Sequence, residues 1–256
     1  MSLLGGLAVA LATVKEEKKA VQWEEPLAAR EQIGDLSFEP VGPKGLIRLD
    51  GLEPSADAFI YSLRERFKLR VVAVYGVEKD WRQFVTAAKE GKPCSVPRLA
   101  VLSLPLRMEG RQYDKSRVSK ELKRYKNLVS LATNTRPITA ILAVKANSKL
   151  KDKLGIDLGF RYRAVEYPGR FNDTPASVSY AVLIMLNLFG QKTEGYATIT
   201  ALNVADKFIY LTWLEPSRGP QVASEVKSAT LLWIAQTLKK NPALASEIEL
   251  TETDSP

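Results

Sequence analysis

The stretch of this sequence best suited to a chemical task is the basic run from Arg111 to Lys126. It holds seven basic and two acidic side chains. Val118, Leu122 and Tyr125 recur at helical spacing, which predicts an amphipathic helix with Asp114 as its N-cap. Such a helix would offer its basic face to nucleic-acid phosphates or to anionic lipid headgroups.

A second basic feature is a strand-like segment near residue 160, in which two arginines alternate with apolar residues. The candidate anion or partner contacts are therefore Arg117, Lys120, Lys123, Arg124, Arg161 and Arg163. An alternative interpretation stays open for all six, namely that they are ordinary solvated surface residues. No aromatic platform accompanies the basic run, so the stacking of single-stranded bases is not indicated.

Several classes of catalytic site are missing from the sequence. The chain has no histidine, which removes the Ser-His-Asp and Cys-His systems and the HExxH zinc site. Cys94 is the only cysteine, which excludes an internal disulfide and a multi-cysteine metal site. No phosphate-binding loop, dinucleotide fingerprint or nucleophile elbow occurs. We therefore expect no enzyme, no cofactor and no small-molecule substrate, although a carboxylate or lysine centre remains an alternative.

The composition is that of an ordinary folded protein. Hydrophobic residues make up 45% and charged residues 26% of the 256 residues. The formal net charge of +8 suits nucleic acid, anionic lipid or acidic proteins as partners, or a solvated basic surface.

The pattern of apolar residues predicts the elements that would position these side chains. Helices are expected at 56–68, around Trp81, at the basic run and at 221–240, and strands at 69–75, 98–104, 137–144, 158–167, 178–189, 196–204 and 208–214. A loop is expected at 168–175 and a turn at 190–195. The last helix is expected to bury a stripe of Val222, Val226, Ala229 and Trp233, widened by Leu231, Leu232, Ala235 and Leu238. The fold class predicted is α+β, a mainly antiparallel or mixed sheet covered by helices, with an extended Pro/Gly-rich N-terminal arm.

The chain divides into five predicted segments. These are an apolar N-terminal segment with a charged flank (1–19), an extended connector (20–55), an α/β half (56–135), a strand-rich half with the C-terminal helix (136–246) and a frayed tail (247–256). The apolar residues before Val14 are too few to span a bilayer, which takes about 20 residues. They fit a cleaved signal, an anchor or a docking segment, so an exported or periplasmic location, a place in a particle and the cytoplasm all remain open.

The C-terminal half resembles a known family. Tyr196 to Val204, Lys207 to Trp213 and the helix ending in Leu238-Lys-Lys-Asn-Pro242 resemble the strand meander and long helix of PsbP-like α/β sandwich proteins. The resemblance runs from about Gly159 to Pro242. It implies a non-catalytic accessory protein that works by surface contacts.

These observations favour a non-enzymatic structural or interaction protein in a cell-envelope or other large multi-subunit assembly. Protein partners or self-assembly are expected, with nucleic acid or an anionic membrane surface as partners of the basic face. Alternatives are a virus or phage particle protein, and a nucleic-acid-binding protein that uses the helix at 114–126.

Overall fold

The computed structural model describes residues 30–53, 56–57, 68–90, 92–95, 97–134, 161–188, 191–204, 207–219 and 221–241. Its strands are β1 (Glu31–Ile33), β2 (Leu36–Phe38), β3 (Ile47–Arg48), β4 (Leu69–Gly76), β5 (Leu99–Pro105), β6 (Arg161–Asp173), β7 (Ser177–Leu188), β8 (Gln191–Val204) and β9 (Lys207–Pro216). The helices are α1 (Glu78–Lys89), α2 (Lys115–Asn134) and α3 (Val222–Lys240), with a short 3-10 turn at Leu106–Met108.

Seven of the strands form one antiparallel sheet in the order β3-β4-β5-β9-β8-β7-β6, and β1 and β2 form a separate hairpin. The sheet thus joins strands from both halves of the sequence through the β5–β9 pair, in which Leu99 lies opposite Leu214. The α+β class is confirmed, and every neighbouring pair of described strands is antiparallel.

Helices cover both faces of the sheet. Alternate residues of β9 point to opposite sides. Leu211 and Trp213 belong to one buried cluster with Trp233 of α3, whereas Phe208 belongs to a second cluster with Leu122 of α2. The central strands are buried on both faces, as their nearly continuous apolar sequences require.

The β1–β2 hairpin adds to the α3 side of the sheet. Ile33 and Phe38 are fully buried there in the same cluster as Trp233. Phe38 thereby holds its segment against the body of the fold. Trp233 is held from the same region, because its Nε1 donates a 2.5 Å hydrogen bond to the carbonyl oxygen of Val41.

Five predicted strands are confirmed to within a few residues as β4, β5, β7, β8 and β9, and the helices α1, α2 and α3 lie where they were expected. The loop predicted at 168–175 and the turn predicted at 190–195 are wrong over most of their length. β6 continues to Asp173, and the left-handed backbone of Gly169 lies within the strand at one of its register shifts. β7 and β8 stay paired as far as Leu188 and Gln191, so residues 191–195 of the predicted turn belong to a strand.

The predicted buried face of α3 is also partly wrong. Leu231, Leu232 and Ala235 are exposed, and the buried positions include Thr230 and Thr237 instead. Both threonine hydroxyls donate to a helix carbonyl four residues earlier, at 2.7 and 2.8 Å. Since that bond satisfies the hydroxyl, threonine can occupy core positions at little cost and leave leucine outside.

Some predictions fall outside the described residues. They include most of the helix at 56–68, the strand at 137–144, the N-terminal segment 1–19 and the tail 247–256.

Candidate basic interface on α2

Helix α2 is anchored to the sheet by one apolar side. Val118 and Leu122 are buried in a cluster with Val178 and Phe208. Tyr125 continues this side, with its ring centroid 5.6 Å from that of Tyr180. The opposite side of the helix therefore faces solvent on a rigid support.

The start of α2 is fixed by the predicted N-cap. One oxygen of Asp114 accepts hydrogen bonds from the backbone N–H of Arg117 at 2.8 Å and from the Ser116 hydroxyl at 2.7 Å. These bonds favour the charged carboxylate and lower the pKa of Asp114. The cap thus sets which turn of the helix carries the first basic residue.

Four of the six predicted contacts lie together on the exposed side of α2. Arg117 and Arg124 are each near a carboxylate, at 3.9 Å from Asp114 and 3.8 Å from Glu121. Lys120 and Lys123 are exposed, and no carboxylate of the described residues lies within ion-pair distance of either ammonium group. This surface, which we call the basic face, holds four cations against two anions.

A side-chain cluster that the sequence did not reveal borders the basic face. Lys126 Nζ lies 2.6 Å from Asp173 on β6, and Arg170 pairs with the same carboxylate. The cluster adds two cations and one anion where β6 meets α2. The sequence predicts a loop at Arg170, whereas the structure places it on β6; alternation of side chains along this segment is the signal for that strand position.

The other two predicted contacts lie elsewhere. Arg161 and Arg163 are paired through their backbones with Asn187 and Met185. Along β7, Asn187 and Met185 lie nine and seven residues from Val178, which is the partner of Asp173. At about 3.3 Å per residue, the backbones of Arg161 and Arg163 are therefore about 30 and about 23 Å from Asp173. The structure therefore does not bring Arg161 and Arg163 together with the cluster around Lys126 that borders the basic face.

Two buried ionisable side chains form ion pairs that link neighbouring strands or loops, and we call these the closed pairs. Glu215 is 5% exposed, and the guanidinium of Arg98 meets both of its carboxylate oxygens, at 2.5 and 2.6 Å. Trp213 Nε1 also donates to Glu215 at 3.2 Å. These bonds tie the start of β5 to the end of β9, and they leave no free base or acid there.

A second closed pair holds the β1–β2 hairpin to the start of β9. Lys207 is 2% exposed, and its Nζ lies 2.8 Å from Asp35 and donates to the Arg111 carbonyl oxygen at 3.0 Å. The bonds from Lys207 and Gln112 lower the pKa of Asp35 to about 2. Gly34 is required beside this pair, because its φ is +61° and an added Cβ would lie 2.7 Å from the carbonyl oxygen of Glu109.

A pocket of about 380 Å³ lies between α1 and the segment that leads into β5. Asp80, Gln83, Cys94 and Arg98 are among its lining residues. Burial raises the pKa of the Cys94 thiol, so the neutral thiol is favoured over the nucleophilic thiolate. Arg98 is already paired with Glu215. The pocket therefore does not gather an activated nucleophile and a base.

Within the described ranges, no three or more acidic, cysteine or histidine side chains converge as metal ligands would. No helix there has the length and apolar character needed to cross a membrane. Comparison with protein-family models, with curated proteins and with solved structures found no match.

Proposed function

We propose that this protein is a non-enzymatic structural or interaction protein that works through its exposed surfaces as a subunit of a larger assembly. One observation carries the proposal: α2 and α3 lie on opposite faces of the sheet, and each turns outward a surface suited to a partner. The surface on α2 is cationic, and the surface on α3 is apolar around Leu231 and Leu232. A subunit with contact surfaces on two opposite faces can be bound between neighbours.

The environment of the ionisable groups supports this proposal over an enzyme. The deeply buried charged groups of Glu215 and Lys207 form ion pairs with Arg98 and Asp35, and these pairs stabilise the fold. Perturbed groups at active sites converge on a cleft, whereas these pairs join neighbouring elements. The two settings predicted from the sequence, a cell envelope and a virus or phage particle, remain proposals, as does the PsbP-like resemblance.

The proposal is tested by sedimenting a gentle extract of the native source through a density gradient and detecting the chain in each fraction. We expect it in fractions much heavier than its 28.4 kDa mass. Recovery only at the monomer position, both before and after mild cross-linking in the intact source, would contradict the proposal.

A second candidate function is nucleic-acid binding through the basic face. The specific observation is that Lys120 and Lys123 are three residues apart, exposed and unpaired within the described part of the chain. One helical step of three residues is about 4.5 Å, so both ammonium groups can reach neighbouring phosphates of one strand.

The salt dependence of binding gives this function a quantitative signature. If two to four cations each neutralise a phosphate, the slope of log K against log salt is about −1.8 to −3.6. Affinity for duplex DNA should then fall by about 10-fold to about 150-fold between 50 and 200 mM salt.

The test compares Lys120→Glu/Lys123→Glu with a matched control, Lys44→Glu/Lys79→Glu, in fluorescence anisotropy with labelled duplex DNA and RNA. Lys44 and Lys79 are also exposed, so the control makes the same change in net charge away from α2. Loss of binding in the first variant alone supports the basic face. Equal loss in both variants, or binding to anionic vesicles but not to nucleic acid, would refute it.

A further inference from the structure

The outward side of α3 has the pattern of a helix-pairing surface. Leu232 is 59% exposed and Leu231 is 43% exposed, and both are among the most exposed large apolar side chains of the described residues. Ser228 and Ala235 are exposed beside them. The spacing of these four residues follows the i, i+3, i+4, i+7 rule of a helix face that packs against another helix. We call them the α3 seam.

The fold itself does not need the α3 seam. The opposite side of α3 is already packed, with Val226 and Trp233 buried against the sheet and the ring of Trp233 6.2 Å from that of Trp213. Single exposed leucines are common, but two adjacent ones centred on a helix, flanked by small residues, leave room for the close approach of a second helix.

The charges at the two ends of the seam indicate what that second helix is. Glu225 lies in the first turn and Lys239 in the last turn, and both are exposed. Each is seven residues from Leu232, which is about 10.5 Å along the axis. Neither forms an ion pair within the described part of the chain.

This symmetry matches a second copy of the same helix. If two copies of α3 lie antiparallel about a two-fold axis at Leu232, Glu225 of each copy lies opposite Lys239 of the other. Two-fold pairing is the commonest symmetry of homo-oligomers, and it requires a self-complementary surface. A parallel pairing would instead place like charges together at both ends.

We propose that the α3 seam is a self-association surface on which two copies of this chain pack antiparallel. The proposal deepens the proposed function, on which it rests, by naming one neighbour in the assembly as a second copy. A single helix pair is smaller than a standard interface of about 800 Å² per partner. The contact is therefore weak alone and strengthened where other surfaces hold the copies together.

The experiment is sedimentation equilibrium of the purified full chain between about 1 and about 500 µM at low salt. We expect a monomer–dimer equilibrium that Leu232→Glu weakens by at least about 10-fold, since it places two charges together at the centre of the seam. The matched control is Leu52→Glu, because Leu52 is also an exposed leucine, at 39%, and lies outside α3. Circular dichroism and the melting temperature verify that each variant is folded.

A charge exchange tests the antiparallel arrangement. Glu225→Lys alone and Lys239→Glu alone each place like charges together and should weaken association by about 2-fold to about 10-fold. The double variant Glu225→Lys/Lys239→Glu should restore it. A wild-type chain that stays monomeric, a Leu232→Glu variant that associates normally, or a double variant no better than the singles would each overturn the proposal.

This outcome is separable from that of the proposed function. If the purified chain stays monomeric while the native chain still sediments in a large particle, self-association through α3 is wrong and assembly membership stands. If the purified chain dimerises through the seam but the native chain sediments as a small species, the seam stands and the proposed function is wrong.

Discussion

A buried pair of hydroxyl groups between α3 and β8 makes a sharp prediction about stability. The hydroxyl oxygens of Thr198 and Thr230 are 2.7 Å apart, and both residues are almost fully buried. We expect Thr230→Val alone to destabilise the protein more than the double change Thr198→Val/Thr230→Val does.

The reason is the direction of the hydrogen bonds. Thr230 donates its only hydroxyl proton to the carbonyl oxygen of Val226 at 2.7 Å, so Thr198 must be the donor in the bond between the two threonines. Thr230→Val therefore leaves a buried donor on Thr198 without a partner, at a cost of about 1 to 3 kcal/mol. Thr198→Val removes that donor and leaves the bond from Thr230 to Val226 intact, at a cost of about 0.5 to 1.5 kcal/mol.

The double variant removes both polar groups and keeps the side-chain shape, which is nearly neutral in such cases. Its cost should therefore fall below the sum of the single costs by about 1.5 to 4.5 kcal/mol. The free energy of unfolding is measured by urea titration with tryptophan fluorescence. The control pairs Thr198→Val with Thr237→Val, because Thr237 is buried on the same helix but bonds to Trp233 instead, and this pair should be additive. Additive costs for Thr198 and Thr230 would refute the donor assignment.

Further predictions concern the two closed ion pairs. The pKa of Asp35 lies at about 2, below its ordinary 3.8, so its pairing with Lys207 contributes stability above about pH 4 that is lost as the pH falls toward 2. The difference in urea midpoint between the wild type and Asp35→Asn should shrink over that range, and a difference that stays constant would contradict the pairing. Glu215→Gln should lower the free energy of unfolding by about 2 to 4 kcal/mol, because it leaves the Arg98 guanidinium without its carboxylate. The double variant Arg98→Met/Glu215→Leu should lose less stability than Glu215→Gln, because it leaves no unpaired charge. A loss in thermal unfolding equal to or greater than that of Glu215→Gln would contradict this explanation.

Much of the fold could be predicted from the sequence, because periodicity reports local burial. The strand Lys207–Pro216 stands out as apolar on both alternating sets, and the structure buries it in the centre of the sheet. The basic side of α2 followed from the buried spacing of Val118 and Leu122 in the same way.

What could not be predicted depends on contacts far apart in the sequence. The bond between Lys207 and Asp35 joins residues 172 positions apart, and no local pattern marks either as a partner. The buried face of α3 was predicted from apolar character alone, and this prediction was partly wrong. The hydroxyl of Thr230 is satisfied by a hydrogen bond within the helix, so Thr230 is buried and Leu231 is exposed. Leu231 and Leu232, which were predicted to be buried, are the exposed leucines of the α3 seam.

The central claim is that exposed surfaces on opposite faces of the sheet are the working parts of this protein. It is tested most directly by producing Lys120→Glu/Lys123→Glu/Leu232→Glu in the native source and comparing its gradient sedimentation with that of the wild type. All three positions are exposed, so the fold should survive, and the melting temperature verifies this. We predict that the wild type sediments with a large particle and that the folded variant stays near the monomer position. A folded variant that sediments with the particle as the wild type does would contradict the account.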